Sequence, residues 1–107
     1  MGDRSNVKIT YSTGQSVYLY THSRGSELPE LVAKAVVEST RIQDESYFAR
    51  FLFVRMLGDD LRDIKGELGF GIAPYPPDQQ YDNDMVHIDY TDTTSTGLPV
   101  INYAHKE

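Results

Sequence analysis

The stretch from residue 16 to residue 29, SVYLYTHSRGSELP, decides the fold, because an alternating strand in it runs through a Gly/Ser turn into a helix. Successive side chains of a strand point to opposite faces, so Tyr18, Tyr20 and His22 share one face and the intervening apolar residues share the other. The apolar face is suited to a core, while the tyrosine face offers aromatic rings and an imidazole. The stretch therefore predicts a sheet with one buried face and one binding face.

The residues around this stretch extend it into a hairpin followed by a helix. Asn6 to Ser12 also alternates, and the connection Thr13 to Gln15 contains a glycine, so the two strands are predicted to pair antiparallel. Ser26 is the predicted N-cap of a helix in which apolar residues recur at helical spacing to about Thr40. Pro29 fits the first turn of that helix, where a backbone N–H has no partner to lose.

A second helix is predicted after Asp44, which is expected to cap it. The segment from Tyr47 to Leu57 is apolar on almost every side, and this predicts a central helix that is covered on several sides. Gly58 is a natural stop for the helix, and Asp59 to Lys65 is predicted to form one more turn.

The remainder of the chain returns to a two-residue period. Three further strands are predicted: Leu68 to Ala73, Met85 to Thr91 and Leu98 to Tyr103. The stretch from Ala73 to Asp84 holds three prolines without periodicity and predicts an exposed loop. The tail from Ala104 to Glu107 is expected to be frayed.

The predicted order is therefore β-β-α-α-β-β-β. It favours an α+β fold, a two-layer sandwich with a mostly antiparallel sheet and both helices on one face. A length of 107 residues fits one domain, 1–107, with a single hydrophobic core. An unpaired edge strand in the final hairpin makes a homodimer possible.

Composition excludes several classes of function. The chain has no cysteine, which rules out disulfides, thiolate catalysis and cysteine zinc sites and fits a reducing cytoplasm. The net charge of −6 argues against direct binding of nucleic acid, which needs a basic surface. No apolar run is long enough for a membrane span, and the polar N-terminus is not a secretory signal.

Metal and cofactor sites are not expected. The histidines His22, His87 and His105 are scattered, without the spacing with which one element grips a metal. The loop residues 82–84, Asp-Asn-Asp, offer oxygen ligands but lack the glycine and distal glutamate of a calcium loop, so a solvated acidic turn is expected.

Two arginines and two glycines complete the candidate binding residues. Arg50 falls inside the apolar second helix, where its guanidinium must reach the surface or pair with a carboxylate, and there it can contact an anion or partner. Arg4, at the start of the first strand, is suited either to cap the end of a strand or to bind a ligand. Gly69 and Gly71 leave one face of the third strand nearly bare, so that another group can approach closely.

With these residues in view, the chain resembles a family of small uncharacterised proteins of bacteriophages and of some bacteria, notably actinobacteria. Similar sequences tend to have a tryptophan where this chain has Ser23. The resemblance implies a phage or prophage origin and a compact domain, with no established activity and no catalytic residues to carry over. It rests on five segments: GDRSN at 2–6, VYLYTH at 17–22, ELP at 27–29, the helix from Tyr47 to Met56, and GFGI at 69–72.

Three functions stay open at this point. The leading hypothesis is a non-enzymatic binding protein that engages and blocks a host macromolecule of defence or transcription, acting through Tyr18, Tyr20 and His22. The alternative is a binder or sponge for a nucleotide signal, in which Tyr18 or Tyr20 stacks on the base. In that reading Gly69 and Gly71 form the floor, and Arg4 or Arg50 meets the phosphate. A small hydrolase with His22 as its base is the third.

Overall fold

The computed structural model describes residues 3–58, 65, 69–76, 82–91 and 97–105. Their order is the predicted one, with two strands, two helices and three strands. The elements are β1 (Ser5–Thr10), β2 (Ser16–Thr21), α1 (Leu28–Glu38), α2 (Glu45–Leu57), β3 (Phe70–Ala73), β4 (Met85–Asp89) and β5 (Val100–His105). The predicted turn over 59–65, apart from Lys65, and the predicted start of β3 at Leu68 lie outside the described residues.

The five strands form one sheet in the order β3-β2-β1-β4-β5. Three of its pairings are antiparallel, and the central β1–β4 pairing is parallel. The prediction of a mostly antiparallel α+β sandwich is confirmed. β5 lies at one edge of the sheet, as the predicted pairing of edge strands in a homodimer requires. The homodimer itself stays a prediction.

One hydrophobic core joins the helices to one face of the sheet. Alternation places Val7, Ile9, Leu19, Val86 and Ile88 on that face, and each is at most 2% exposed. The helices contribute a stripe each, with Leu28, Val32 and Ala35 from α1 and Phe48, Leu52 and Met56 from α2. The inward direction predicted for Val86, Ile88 and Tyr90 is confirmed.

Both helix starts differ from the prediction. A 3-10 turn, Gly25–Glu27, precedes α1, so Ser26 lies before the helix and does not cap it. Its backbone N–H and hydroxyl instead donate to the Asp3 carboxylate, at 3.0 and 2.6 Å. Asp44 does stand at the N-cap of α2, but its carboxylate accepts a bond from Arg41 rather than from the helix.

The second helix is not covered on several sides, and that prediction was wrong. The fully buried residues of α2 are Phe48, Leu52 and Met56, which form one stripe along the helix. On other sides Tyr47 is 53% exposed, and Arg50 is exposed as well. α2 therefore buries one face in the core, and its other apolar residues from Ala49 to Leu57 are half-buried. The prediction of a frayed tail was also wrong at its start, because Ala104 and His105 belong to β5.

Candidate functional site

The side of the sheet opposite the helices, called here the outer sheet face, carries most of the predicted binding residues. Alternation and register place Asn6, Lys8 and Thr10 of β1 there, beside Tyr18 and Tyr20 of β2. Tyr18 is only 4% exposed and yet is not part of the hydrophobic core, as expected for a residue on the other side of the sheet. The prediction that Tyr18 and Tyr20 share a face away from the core agrees with this register.

The outer sheet face is less exposed than the sequence predicts for a binding face formed by Tyr18, Tyr20 and His22. Tyr18 is buried and lies under the Lys8 ammonium, which is 5.6 Å from the ring centroid. Tyr20 is half-buried, and His22 is exposed. The accessible part of the row is therefore its His22 end, and Tyr18 does not offer its ring to a ligand.

Four side chains meet at that end of the sheet, and Arg4, Tyr20, His22 and Asp82 are called here the end cluster. The Asp82 carboxylate accepts bonds from the backbone N–H of Arg4, at 2.9 Å, and from its Nε, at 3.2 Å. The hydroxyl of Tyr20 lies 3.4 Å from Nδ1 of His22. The cluster thus combines a guanidinium, a carboxylate, a phenol and an imidazole.

The electrostatics of the end cluster follow from these contacts. The backbone N–H and the guanidinium of Arg4 hold the pKa of Asp82 below its usual range, and His22 acts in the same direction. Burial raises the pKa of Tyr20, with Arg4 opposing that rise and Asp82 adding to it. Asp82 stays ionised and Tyr20 stays a neutral hydrogen-bonding group at neutral pH.

The two predicted glycines, Gly69 directly before β3 and Gly71 within it, differ in what surrounds them. Gly69 has a φ of +80° and accepts a bond from the His22 N–H at 2.9 Å, and a Cβ on it would stand 2.7 Å from the Cβ of His22. Gly71 lies opposite Tyr20, and a Cβ added there meets nothing within 4 Å. Gly71 therefore leaves an open strip beside the Tyr20 side chain, whereas Gly69 supports His22.

Arg50 is the one predicted binding residue that the fold does not bring to this site. It lies on α2, in the helix layer on the other side of the sheet. Arg50 is exposed, so of the two predicted outcomes, reaching the surface or pairing with a carboxylate, the structure shows that it reaches the surface. Arg4 and Arg50 consequently cannot act on one ligand at the outer sheet face.

The chain segment that precedes β1 is fixed by residues near the start of β4. Asn83 Nδ2 donates to the Asp3 carboxylate at 2.6 Å, and the Ser5 hydroxyl donates to the backbone carbonyl of Asp84 at 2.9 Å. The bonds from Ser26 and Asn83 lower the pKa of Asp3, the Ser26 hydroxyl contributing most. The acidic turn predicted at 82–84 is thus a structural partner of residues 3–5.

Sequence reasoning missed a second group on the outer sheet face. The rings of His87 and His105 lie in contact, with centroids 4.7 Å apart, and His87 Nε2 lies 2.8 Å from the Thr10 hydroxyl. The alternation of Val86 and Ile88 was a signal that His87 points outward. Within the described ranges, no three His, Cys, Asp or Glu side chains group in a way that would hold a metal.

Comparison with known proteins adds no relative. No protein-family model, no curated protein and no solved structure matches the chain. The resemblance to phage and actinobacterial proteins therefore stays a prediction. In the part of the chain that the structure describes, no helix is both long enough and apolar enough to cross a bilayer.

Proposed function

We propose that this chain is a phage-type accessory protein that binds and blocks a macromolecule of its bacterial host, acting in the cytoplasm without a cofactor. The observation that carries the proposal is the end cluster, in which Arg4, Tyr20, His22 and Asp82 meet at the accessible end of the outer sheet face. The host component is expected to be one that the host uses in defence or transcription.

The chemistry of the end cluster supports a protein partner. Its charges are mixed, because Arg4 is already paired with Asp82, with side chains that are 27% and 35% exposed. Tyrosine and arginine carry much of the binding energy at protein interfaces. The Tyr20 ring beside the Arg4–Asp82 ion pair therefore suits a partner protein whose surface presents both hydrogen-bond donors and acceptors. The acidic net charge of the chain adds attraction to a basic partner.

The two alternatives have less support. A nucleotide site was expected to combine Tyr18, a glycine floor and an arginine, but Tyr18 is buried, Arg50 lies in the helix layer, and Arg4 is held by Asp82. Only Tyr20 and the open strip at Gly71 remain of that arrangement. A hydrolase needs an activated nucleophile beside its base, and the described hydrogen bond of the His22 ring is to the Tyr20 phenol.

The test is affinity capture from an actinobacterial lysate, read by quantitative mass spectrometry for proteins and for extracted small molecules. The native chain is compared with a Tyr20→Ala, His22→Ala double variant, which removes the ring and imidazole of the end cluster. Tyr47→Ala is the matched control, because Tyr47 is 53% exposed but lies on α2 in the helix layer. All three chains are first compared by thermal unfolding, so that binding is measured on folded protein.

We expect one stoichiometric partner that the native chain and Tyr47→Ala retain and the double variant loses. Equal capture of that partner by the double variant would contradict the proposed surface. Recovery of a bound nucleotide without a protein would favour the sponge, and a panel of nucleotides that raises the melting temperature would establish it.

A further inference from the structure

The two edges of the sheet differ in how they are protected against a further strand. An edge strand presents a row of unpaired backbone N–H and C=O groups, and proteins protect such an edge by short length, proline or charged side chains. β3, at one edge, has only four residues and lies between Gly69, with a φ of +80°, and Pro74. β5, at the other edge, has six residues with no proline and no Asp, Glu, Lys or Arg among them. β5 is therefore the edge on which another strand can pair.

The backbone of β5 supports this assignment. Its residues from Val100 to Asn102 pair regularly with β4, whereas Tyr103 and Ala104 have no register partner there. The N–H of Ala104 instead donates to Oδ1 of Asn102 on the same strand, at 3.0 Å. A local bond of this kind occupies a backbone group in place of a strand. A further strand along β5 can replace it with a regular pairing.

The side chains of β5 favour a second copy of this chain as that strand. Val100 is 42% exposed and Tyr103 is 39% exposed, and Asn102 and Ala104 are exposed as well. The net charge of −6 makes two copies repel each other over most of their surfaces. Along β5 a second copy meets no carboxylate of that strand, so this repulsion is weakest there. A basic partner, by contrast, finds no counter-charge on β5.

Two identical strands that pair antiparallel are related by a two-fold axis perpendicular to the sheet, and one residue then faces its own copy. Asn102 is the centre of the stretch from Val100 to Ala104. With the axis at Asn102, Ile101 of each copy is opposite Tyr103 of the other. Ile101 packs against the core, and alternation puts Tyr103 on the same side of the sheet. An aromatic ring beside a β-branched side chain is a favourable cross-strand pair, and it occurs twice at this junction.

We propose that two copies of this chain join through β5, with Asn102 at the axis, and that the dimer binds its partner through two end clusters. Because the axis is perpendicular to the sheet, both outer sheet faces lie on one side of the dimer. Three inter-strand steps separate β2 from β5 in each copy, and one step crosses the junction. At about 4.8 Å a step, the two β2 strands are about 34 Å apart across the sheet. The pairing rests on β5 alone, whereas its bivalent use rests on the proposed function.

Such a dimer is suited to a host partner that repeats its binding surface, as a symmetric oligomer does. Two end clusters on one side of the sheet can then bind two copies of that surface at once. The second contact becomes intramolecular and strengthens binding without any new kind of contact.

The test is the oligomeric state of the untagged full chain, measured by sedimentation equilibrium over a range of concentrations. We expect the native chain to form a dimer. Asn102→Asp puts like charges opposite each other at the axis and should raise the dimer dissociation constant about tenfold or more. Aspartate has the size of asparagine and keeps an acceptor for the Ala104 N–H, so the fold is retained.

Two controls add the same charge elsewhere. Ile72→Asp lies on the β3 edge and Val37→Asp on α1, where the native side chains are 59% and 84% exposed. Both variants should keep the native dissociation constant. A native chain that is monomeric at every concentration overturns the proposal. A dimer that Ile72→Asp dissociates and Asn102→Asp does not would place the junction at β3 and overturn it as well.

A mixture of charge variants tests the axis itself. Asn102→Lys should dissociate the dimer as Asn102→Asp does, and an equimolar mixture of the two should recover it, because opposite charges then face each other. Two dissociated variants that do not recover a dimer when mixed would overturn the axis at Asn102.

This inference and the proposed function fail separately. A native dimer that captures no host protein would contradict the proposed function and leave the pairing through β5 in place. A monomeric native chain that still captures its partner through the end cluster would do the reverse. Asn102→Asp lies on a different strand from the end cluster, so the variant should keep the partner with lower apparent affinity. Equal apparent affinity of the native dimer and this variant would overturn the bivalent use.

Discussion

Gly69 and His22 are in contact through their backbones, with room for no more than a hydrogen at the glycine. The His22 N–H donates to the Gly69 carbonyl at 2.9 Å, and a Cβ on Gly69 would stand 2.7 Å from the Cβ of His22. The φ of Gly69, +80°, is in the left-handed region that favours glycine. The position of His22 in the end cluster thus depends on Gly69. The sequence singled out this glycine only because it leaves one face of the third predicted strand without side chains.

Gly69→Ala is therefore expected to destabilise the fold by two separate costs. Left-handed backbone at a residue with a side chain costs about 1–3 kcal/mol, and the close contact with His22 adds to it. The measurement is the free energy of unfolding from urea denaturation of the native chain and the variant.

Two other glycines are matched controls for that variant. Gly14 also has a positive φ, +91°, but open space around it, so Gly14→Ala should show the backbone cost alone. Gly71 has open space and no positive φ, so Gly71→Ala should change the free energy of unfolding by less than about 0.5 kcal/mol. A Gly69→Ala loss no larger than that of Gly14→Ala would show that His22 moves aside without cost.

Asn6→Leu is expected to make the protein more stable. The Asn6 side chain is fully buried on the outer sheet face, and neither its Nδ2 nor its Oδ1 has a hydrogen-bond partner among the described residues. A buried polar group without a partner costs about 1–3 kcal/mol, and leucine has the same number and branching of side-chain heavy atoms as asparagine without the polar groups. Urea denaturation should give a higher midpoint for the leucine variant.

Asn6→Ala is the control for the loss of side-chain volume and should not reproduce the gain. A lower midpoint for Asn6→Leu than for the native chain would mean that the amide is satisfied in solution, as by an ordered water.

Tyr90→Phe should destabilise the core at neutral pH. The buried Tyr90 hydroxyl donates to the Ile42 carbonyl at 2.6 Å, and phenylalanine leaves that carbonyl without its donor, at a cost of about 1–3 kcal/mol. Tyr75→Phe is the control, because Tyr75 is 64% exposed. Equal free energies of unfolding for native chain and Tyr90→Phe would show that this bond adds nothing.

The same substitution has an effect on stability in alkali. Burial raises the pKa of Tyr90 above its ordinary value of 10.0, so the folded state favours the neutral phenol. Its contribution is complete below pH 10 and is lost as pH rises beyond that value. The stability of the native chain should therefore fall more steeply above pH 10 than that of Tyr90→Phe, which unfolding curves at several alkaline pH values will measure.

Asp82→Asn should lower the melting temperature near neutral pH but not in strong acid. The pKa of Asp82 in the folded chain lies below its ordinary value of 3.8, chiefly because the Arg4 N–H donates to it. Such a carboxylate stabilises the fold above pH 3.8, and the contribution is lost as pH falls through the folded pKa. The difference between the two chains should shrink as pH falls below 3.8.

Asp84→Asn is the comparison for this pH series. Asp84 is exposed, and its described contact is the backbone carbonyl that accepts from Ser5. Its melting temperature should follow that of the native chain across the same pH range. A constant offset of Asp82→Asn at every pH would show that the Arg4 contact does not depend on the charge.

What the sequence predicts well is local in the chain. The 5–21 hairpin and the inward direction of Val86 and Ile88 follow from alternation, which needs no knowledge of distant segments. α2 was assigned as a helix correctly but placed too deep, because its many aromatic residues obscure the single buried stripe at Phe48, Leu52 and Met56.

The features that sequence reasoning missed depend on distant partners. Arg4 and Asp82 are 78 residues apart, and neither carries a local signal for the other. The contact between His87 and His105 requires both the length of β5 and the register shift in its pairing with β4 between Met85 and His87. The burial of Tyr18 likewise depends on packing across the sheet, whereas alternation reports only the direction of a side chain.

The parallel pairing of β1 with β4 has a consequence for synthesis on the ribosome. β1 is the central strand, yet one of its two neighbours, Met85–Asp89, is translated long after it. Until that segment leaves the exit tunnel, the nascent hairpin has an open edge on β1 beside Val7 and Ile9, which a chaperone or another nascent chain can pair with. The first strand to be made is thus among the last to be completed, and any chain that stops before Met85 keeps that edge open permanently.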